Sequence, residues 1–167
     1  RSSGKNNFSH LKLDTTYAVA LYQNLEFNVN SGGQLSLDDL LNSEQSGITG
    51  PDKLSGFTSG SISGDESWYV RGQLNYKKQL SNKFTLAPYV YGAAGVSYTL
   101  TPTAVENRST AAKSLGLGLK INGIDNYFFD KNISAKVEYS KNWATGVLED
   151  VSDVRPVSYT HLRAHET

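Results

Sequence analysis

Cysteine is absent from the 167 residues, which removes disulfides and thiolate metal sites from the chain's chemistry. Proline is scarce, and no segment of useful length repeats with the period of a helix. No apolar run approaches the length of a membrane-crossing helix, and the mean hydropathy is negative. Neither observation excludes a membrane protein that crosses with strands, because alternating strands average out to mildly polar. The formal net charge is zero, so the total gives no reason to expect nucleic acid or an acidic surface as partner. Gly, Ser, Thr, Asn and Tyr are abundant, and the composition is that of an all-β protein. The first residue is Arg1 rather than Met, so targeting is not read from this end of the sequence.

Two-residue alternation runs through the chain. Leu11, Leu13, Tyr17, Val19 and Leu21 alternate with Lys12, Asp14, Thr16, Ala18 and Ala20. After a Gln23-Asn24 turn, Leu25, Phe27 and Val29 alternate with polar residues as far as Gly32-Gly33. From Ser67 to Lys78, Trp68, Val70, Leu74 and Tyr76 oppose Tyr69, Arg71, Gln73, Asn75 and Lys77. A long strand is predicted from Phe84 to Leu100 after a turn at Ser81-Asn82-Lys83, and another around Leu115, Leu117, Leu119 and Ile121. A connection with an aromatic cluster, Tyr127-Phe128-Phe129, leads to a last strand through Ile133, Ala135, Val137 and Tyr139. Six consecutive strands joined by hairpins make an antiparallel meander. Several are longer than the five or six residues usual in soluble sheets and match the roughly 9–11 needed to cross a membrane. Their polar faces carry Lys, Glu, Arg and Asn, which suits a watery lumen; a soluble β-sandwich or lipocalin-like barrel is the alternative.

Between the second and third strands lies a polar, glycine-punctuated stretch that merges into the third, Leu41 to Leu74, with no apolar periodicity for a core of its own in its first part. Ser43, Glu44, Gln45, Gly50, Pro51, Gly56 and Phe57 stand in order there, followed by Ser63, Gly64, Asp65, Trp68, Tyr69, Arg71 and Leu74. In these residues and spacings the chain resembles the outer-membrane transporters of two-partner secretion, the haemolysin and haemagglutinin transporter family. The resemblance implies the C-terminal part of a sixteen-stranded transmembrane β-barrel in the bacterial outer membrane, with periplasmic POTRA domains upstream. It also implies export of an unfolded partner protein of adhesin or cytolysin type without ATP, contact with outer-membrane lipid, and no nucleic acid, cofactor or enzymatic step. An outer-membrane protein insertion barrel of the same superfamily and a passive porin are the alternative functions.

In the family a loop reaches into the lumen, and an Arg in it meets an Asp on the barrel wall. Here the corresponding loop motif is Leu54-Ser55-Gly56-Phe57, followed by Ser63, Gly64 and Asp65, with Ser55 where the Arg would stand. The matching wall strand holds Tyr89, Tyr91 and Ala93, with Ala93 where the Asp would stand. Both partners of the family's ion pair are therefore expected to be missing together, which avoids a lone buried charge. The loop, about residues 41–66, is expected to dock through Phe57, glycine backbone and the Ser55 hydroxyl. Arg71 and Lys77 are candidates for lining the lumen.

The remaining polar groups carry no reaction chemistry. Asp38, Asp39 and Glu44 lack the spacing of a calcium loop and read as a solvated rim. Ser63 and Asp65 have no base beside them, so a turn in which the Asp accepts backbone N–H bonds is expected. Residues 157–167 read as the translated end of a sequencing-library adapter, with a natural polar tail as the alternative, and their His161 and His165 are not taken as metal ligands. The barrel portion is therefore residues 1–156, with four strands after the loop where the family has five, and the gene product is expected to continue further.

Overall fold

Alternation in the sequence becomes one antiparallel sheet in the computed structural model, which describes residues 8–81, 84–104, 107–125, 131–146 and 151–164. The strands are β1 (His10–Tyr22), β2 (Leu25–Ser36), β3 (Ser46–Gly47), β4 (Ser63–Gly64) and β5 (Glu66–Tyr76). They continue with β6 (Lys78–Ser81), β7 (Phe84–Tyr98), β8 (Ser109–Asp125), β9 (Lys131–Thr145) and β10 (Val151–Ala164). The large sheet has the order β1-β2-β5-β7-β8-β9-β10, with β6 added beside β7, and β3 pairs with β4 in a separate two-stranded ladder. The large sheet is open, with β1 and β10 at its edges. Its seven principal strands have 11 to 17 residues. At about 3.3 Å per residue each is long enough to cross a hydrocarbon layer of about 30 Å.

Side chains on the two faces follow the pattern of the sequence, but burial is inverted relative to a soluble domain. Arg71, Glu138, Ser140 and Asn142 are each no more than 2% exposed, whereas Leu11, Leu117, Val137 and Tyr139 are each more than 50% exposed. Soluble proteins rarely bury Arg and Glu, and rarely leave so continuous an apolar face uncovered. What covers the polar face is the stretch between β2 and β5, which folds back across it. Its hairpin is closed by the β3–β4 ladder and by Ile48 N–H donating to Ile62 O at 3.0 Å. A tight turn follows at Gly50, whose φ of 141° favours glycine, and Leu54 N–H returns to Ile48 O at 3.3 Å. Ile48, Leu54 and Ile62 then pack on Tyr89, Tyr91, Ala93, Ala112 and Ala144 of the wall. The loop completes a small core with apolar surface borrowed from the sheet.

Several boundaries differ from those predicted. β2 does not end at Gly32-Gly33 but continues to Ser36, because these glycines serve close packing. Gly33 lies in register with Leu13 on one side and Trp68 on the other, and a Cβ there would press on the Ser67 carbonyl oxygen and the Trp68 side chain. The third predicted strand divides at Lys77. Its partner β2 begins at Leu25 opposite Tyr76, so β6 beyond that point is left to pair with β7 alone. β8 extends on both sides of its leucine run because β7 offers ladder partners from Phe84 to Tyr98. Of the long strands after the loop, four (β5, β7, β8 and β9) end before residue 157, and β10, which pairs with β9 from Val151–Ala144 to Ala164–Lys131, runs on through residues read as adapter. The Asn82-Lys83 part of the predicted turn and the Tyr127-Phe128-Phe129 cluster lie outside the described residues.

Candidate functional site

Ser55 is the point where the loop tip meets the wall. It is 1% exposed, and its hydroxyl donates to Glu138 Oε1 of β9 while accepting from Arg71 Nη1 of β5 at 2.6 Å. Arg71 Nη2 reaches Glu138 Oε2 directly at 3.1 Å, closing a three-membered ring of contacts. Tyr89 donates its phenolic O–H to the same oxygen at 2.6 Å, and Lys136 Nζ lies 3.2 Å from it. The Arg71 guanidinium also stacks 3.6 Å above the Tyr91 ring centroid and donates to Gln73 Oε1 at 3.0 Å. A charge removed this far from water is tolerated only when paired and hydrogen bonded, and both conditions hold here.

Ser55 and Ala93 leave no ion pair between loop and wall at these two positions, and the charges that meet under the tip are others. An Arg–carboxylate pair is present, but both members belong to the wall, and the loop contributes a neutral hydroxyl between them. Ala93 is buried in the apolar cluster, in register with Arg71 across β5 and β7. The space where a wall carboxylate was expected therefore adjoins Arg71 and a methyl-lined patch, and the carboxylate comes instead from Glu138, two strands further along the sheet.

Flanking residues of the tip are held through their backbone. Lys136 Nζ donates to Pro51 O at 3.0 Å, Arg71 Nη1 to Lys53 O at 3.1 Å and Asn142 Nδ2 to Gly56 O at 3.0 Å. Gly56 comes so close to the wall that a Cβ would overlap the Ser140 and Asn142 side chains, both of which are buried and hydrogen bonded. That contact requires glycine. Lys53 turns back to Gly47 O at 2.6 Å and lies over the Tyr69 ring. Partial burial lowers the pKa of its ammonium, and repulsion from Lys12 adds to the shift.

A second anchor lies at the base of the loop. Asp65 is fully buried; its Oδ1 accepts from the Leu40 N–H and from Gln45 Nε2, each at 3.1 Å, while Oδ2 accepts from the Leu100 N–H at 2.9 Å. One carboxylate at the end of the loop thus joins two points near its start to the segment just beyond β7. Gln34 adds bonds to Glu44 O at 3.0 Å and Asp65 O at 3.3 Å. Ser63 and Gly64 form β4, which aims Asp65 inward.

The structure brings Leu54, Ser55, Gly56, Arg71, Tyr89, Tyr91 and Ala93 together under the loop. Phe57 packs at the edge of the cluster, while Leu54, fully buried, fills its centre. Arg71 is covered by the tip instead of lining open space. Lys77 lies apart, exposed and paired with Glu26 at 2.7 Å. Glu138, Lys136 and Asn142 were not singled out from the sequence. Their signal was a carboxylate, an amine and an amide on the polar face of one strand, and alternation assigned that face without indicating what its residues would meet.

Residues 1–121 match the family described as haemolysin secretion/activation protein ShlB/FhaC/HecB, over more than half of the chain. No curated protein and no solved structure matches the chain.

Proposed function

Because the chain belongs to the haemolysin secretion/activation family, we propose that it forms part of a bacterial outer-membrane barrel that passes a secreted partner protein of adhesin or cytolysin type to the outside. The observation that carries this reading is a docked loop across the polar, concave face of a sheet whose other face is apolar and uncovered. The apolar face suits contact with outer-membrane lipid. The polar face suits a conduit that the loop occupies at rest. Transport then requires the loop tip to leave the wall. The barrel share of the chain is proposed as residues 1–156, and resequencing the gene across codon 157 tests whether 157–167 is adapter.

Departure of the tip is made easier by where the charges lie. When Ser55 withdraws, Arg71 keeps Glu138 at 3.1 Å, so no buried ion is left without its counter-ion. The polar contacts to be exchanged for water or for another chain are a hydroxyl and a few carbonyl bonds, each worth about 1 kcal/mol net, and Leu54 also gives up its place in the apolar cluster.

The test locks the tip in place. In the full-length transporter, Gly56→Cys and Ser140→Cys place two thiols where a Cβ on residue 56 would already meet the Ser140 side chain, and leave the Arg71–Glu138 pair intact. Secretion of the partner should stop under oxidising conditions and return on reduction. Equal secretion in both states would contradict a loop that must move. A passive porin would show no dependence of partner secretion on the transporter at all.

A further inference from the structure

Most of the hydrogen bonds by which the wall holds the loop tip go to its backbone. Lys136, Arg71 and Asn142 donate to the carbonyls of Pro51, Lys53 and Gly56. Every residue of any polypeptide offers such a carbonyl. Ser55 adds a side-chain contact, and it is a small neutral one.

The arrangement also has a direction. Lys136 and Asn142 are six residues apart on β9, about 20 Å at the rise of a strand. The loop meets the first at Pro51 and the second at Gly56, so its tip runs alongside β9 in the same sense. β9 is one of the long strands of the sheet, so this line follows the strand direction along the concave face. If the tip leaves, the Arg71–Glu138 pair persists, and donors that served the tip carbonyls are presented along that line. A donor held at a partly dry surface is stabilised by whichever acceptor replaces the one it lost.

Resting on the export reading above, we propose that Arg71, Lys136 and Asn142 form a track for the extended backbone of the exported polypeptide. The exported chain displaces the loop tip by offering its own carbonyls to the same three donors. Recognition of this kind fits a substrate delivered unfolded, because it reads main chain rather than sequence.

The test uses the detergent-solubilised full-length transporter with a single cysteine at Ala93→Cys. That position lies in register with Arg71 under the tip, and Ala94→Cys on the opposite face serves as control. The probes are two unstructured twenty-residue synthetic peptides with unrelated side chains, each carrying an activated disulfide. Both peptides should label Ala93→Cys at similar rates and well above Ala94→Cys. With residues 50–58 replaced by a Gly-Ser link, so that the tip no longer competes for the same donor, adding Asn142→Leu should slow that labelling about fivefold, the effect of losing one hydrogen bond of about 1 kcal/mol. Lys136→Met should act in the same direction, so the result does not depend on one variant folding, and heat-modifiable gel mobility identifies folded protein for each.

Labelling that follows the side-chain sequence of the probe, or that is unchanged by both substitutions, would overturn the track. Secretion of the partner by the unlabelled transporter in cells is read separately. Export without peptide preference at Ala93→Cys removes the track alone, whereas absence of export removes the functional reading beneath it.

Discussion

Arg71 and Glu138 meet at 3.1 Å although β7 and β8 lie between the strands that carry them. On a flat sheet with neighbouring strands about 4.8 Å apart, their Cα atoms would be separated laterally by about 14 Å. Direct contact follows from two long side chains converging over the concave face, where strand twist and curvature shorten the gap. Tyr89 and Tyr91 on the intervening β7 support this bridge from beneath, one by donating to the carboxylate and the other by stacking under the guanidinium. The loop tip settles onto a charge pair that the wall has already assembled.

Gly56 should be intolerant of even one added carbon. A Cβ would displace the buried Ser140 and Asn142 side chains and lengthen the Asn142 bond to Gly56 O. Gly56→Ala is expected to weaken docking of the tip by about 1–3 kcal/mol, the usual range for overpacking. Limited proteolysis checks this: cleavage within residues 48–60 should accelerate while the strands remain protected. Cleavage no faster than in the parent protein would show that the contact is loose.

Ser55 should tolerate loss more readily than gain. Ser55→Ala removes a hydroxyl from between two groups that already pair with each other, and is expected to cost about 1 kcal/mol. Ser55→Arg adds a third cation beside Arg71 and Lys136 with Glu138 as the carboxylate in contact, and is expected to cost about 3–5 kcal/mol. Adding Ala93→Asp to that variant supplies a carboxylate in register with Arg71, which leaves Glu138 to take the new charge. Part of the loss should return. The temperature at which the folded form converts on a gel ranks the three proteins, and an Ala93→Asp addition that deepens the loss would contradict the register-based argument.

Asp65 should act as an acceptor and not merely as a charge. Asp65→Asn keeps one oxygen but turns a donor toward either the Leu40 or the Leu100 N–H, where only an acceptor fits. A buried donor left facing another donor costs about 1–3 kcal/mol. Hydrogen exchange at the Leu40 and Leu100 amides should accelerate, with amides in the middle of β7 unchanged. Unchanged exchange at both loop-end amides would remove Asp65 as the anchor.

The strands were legible in the sequence because one face of the sheet is apolar along its whole length, and alternation reports that directly. Leu115, Leu117 and Ile121 or Val137 and Tyr139 each appear on the face that alternation assigned to them. Termination was less legible. Gly32-Gly33 looked like an end, yet glycine at a close approach between strands gives the same signal as glycine in a turn. Short ladders such as Ser46–Gly47 with Ser63–Gly64 hold too few residues to leave any period.

At the site, the loop motif and its wall strand could be found by spacing, but the carboxylate could not. Glu138 is separated from Ser55 by 83 positions, and nothing local marks it out from Glu26 on the same polar face. Which polar-face residues meet depends on sheet curvature and side-chain reach, and both are tertiary properties. The missing Arg at Ser55 was legible, but the separate pair that Arg71 and Glu138 form within the wall was not.

The central claim is that both charges of the lock belong to the wall, and a double-mutant cycle tests it most directly. In the full-length protein, Arg71→Leu, Glu138→Leu and their combination are compared by unfolding midpoint, once with Ser55 and once with Ser55→Ala. Glu138→Leu leaves Arg71 buried without its carboxylate and should cost about 3–5 kcal/mol, Arg71→Leu should cost less because Lys136 still lies 3.2 Å from Glu138, and the double change should cost clearly less than the sum of the two. The coupling should persist with Ser55→Ala, because Arg71 touches Glu138 without the loop's help. Additive single changes, or a coupling that vanishes with Ser55→Ala, would contradict the account.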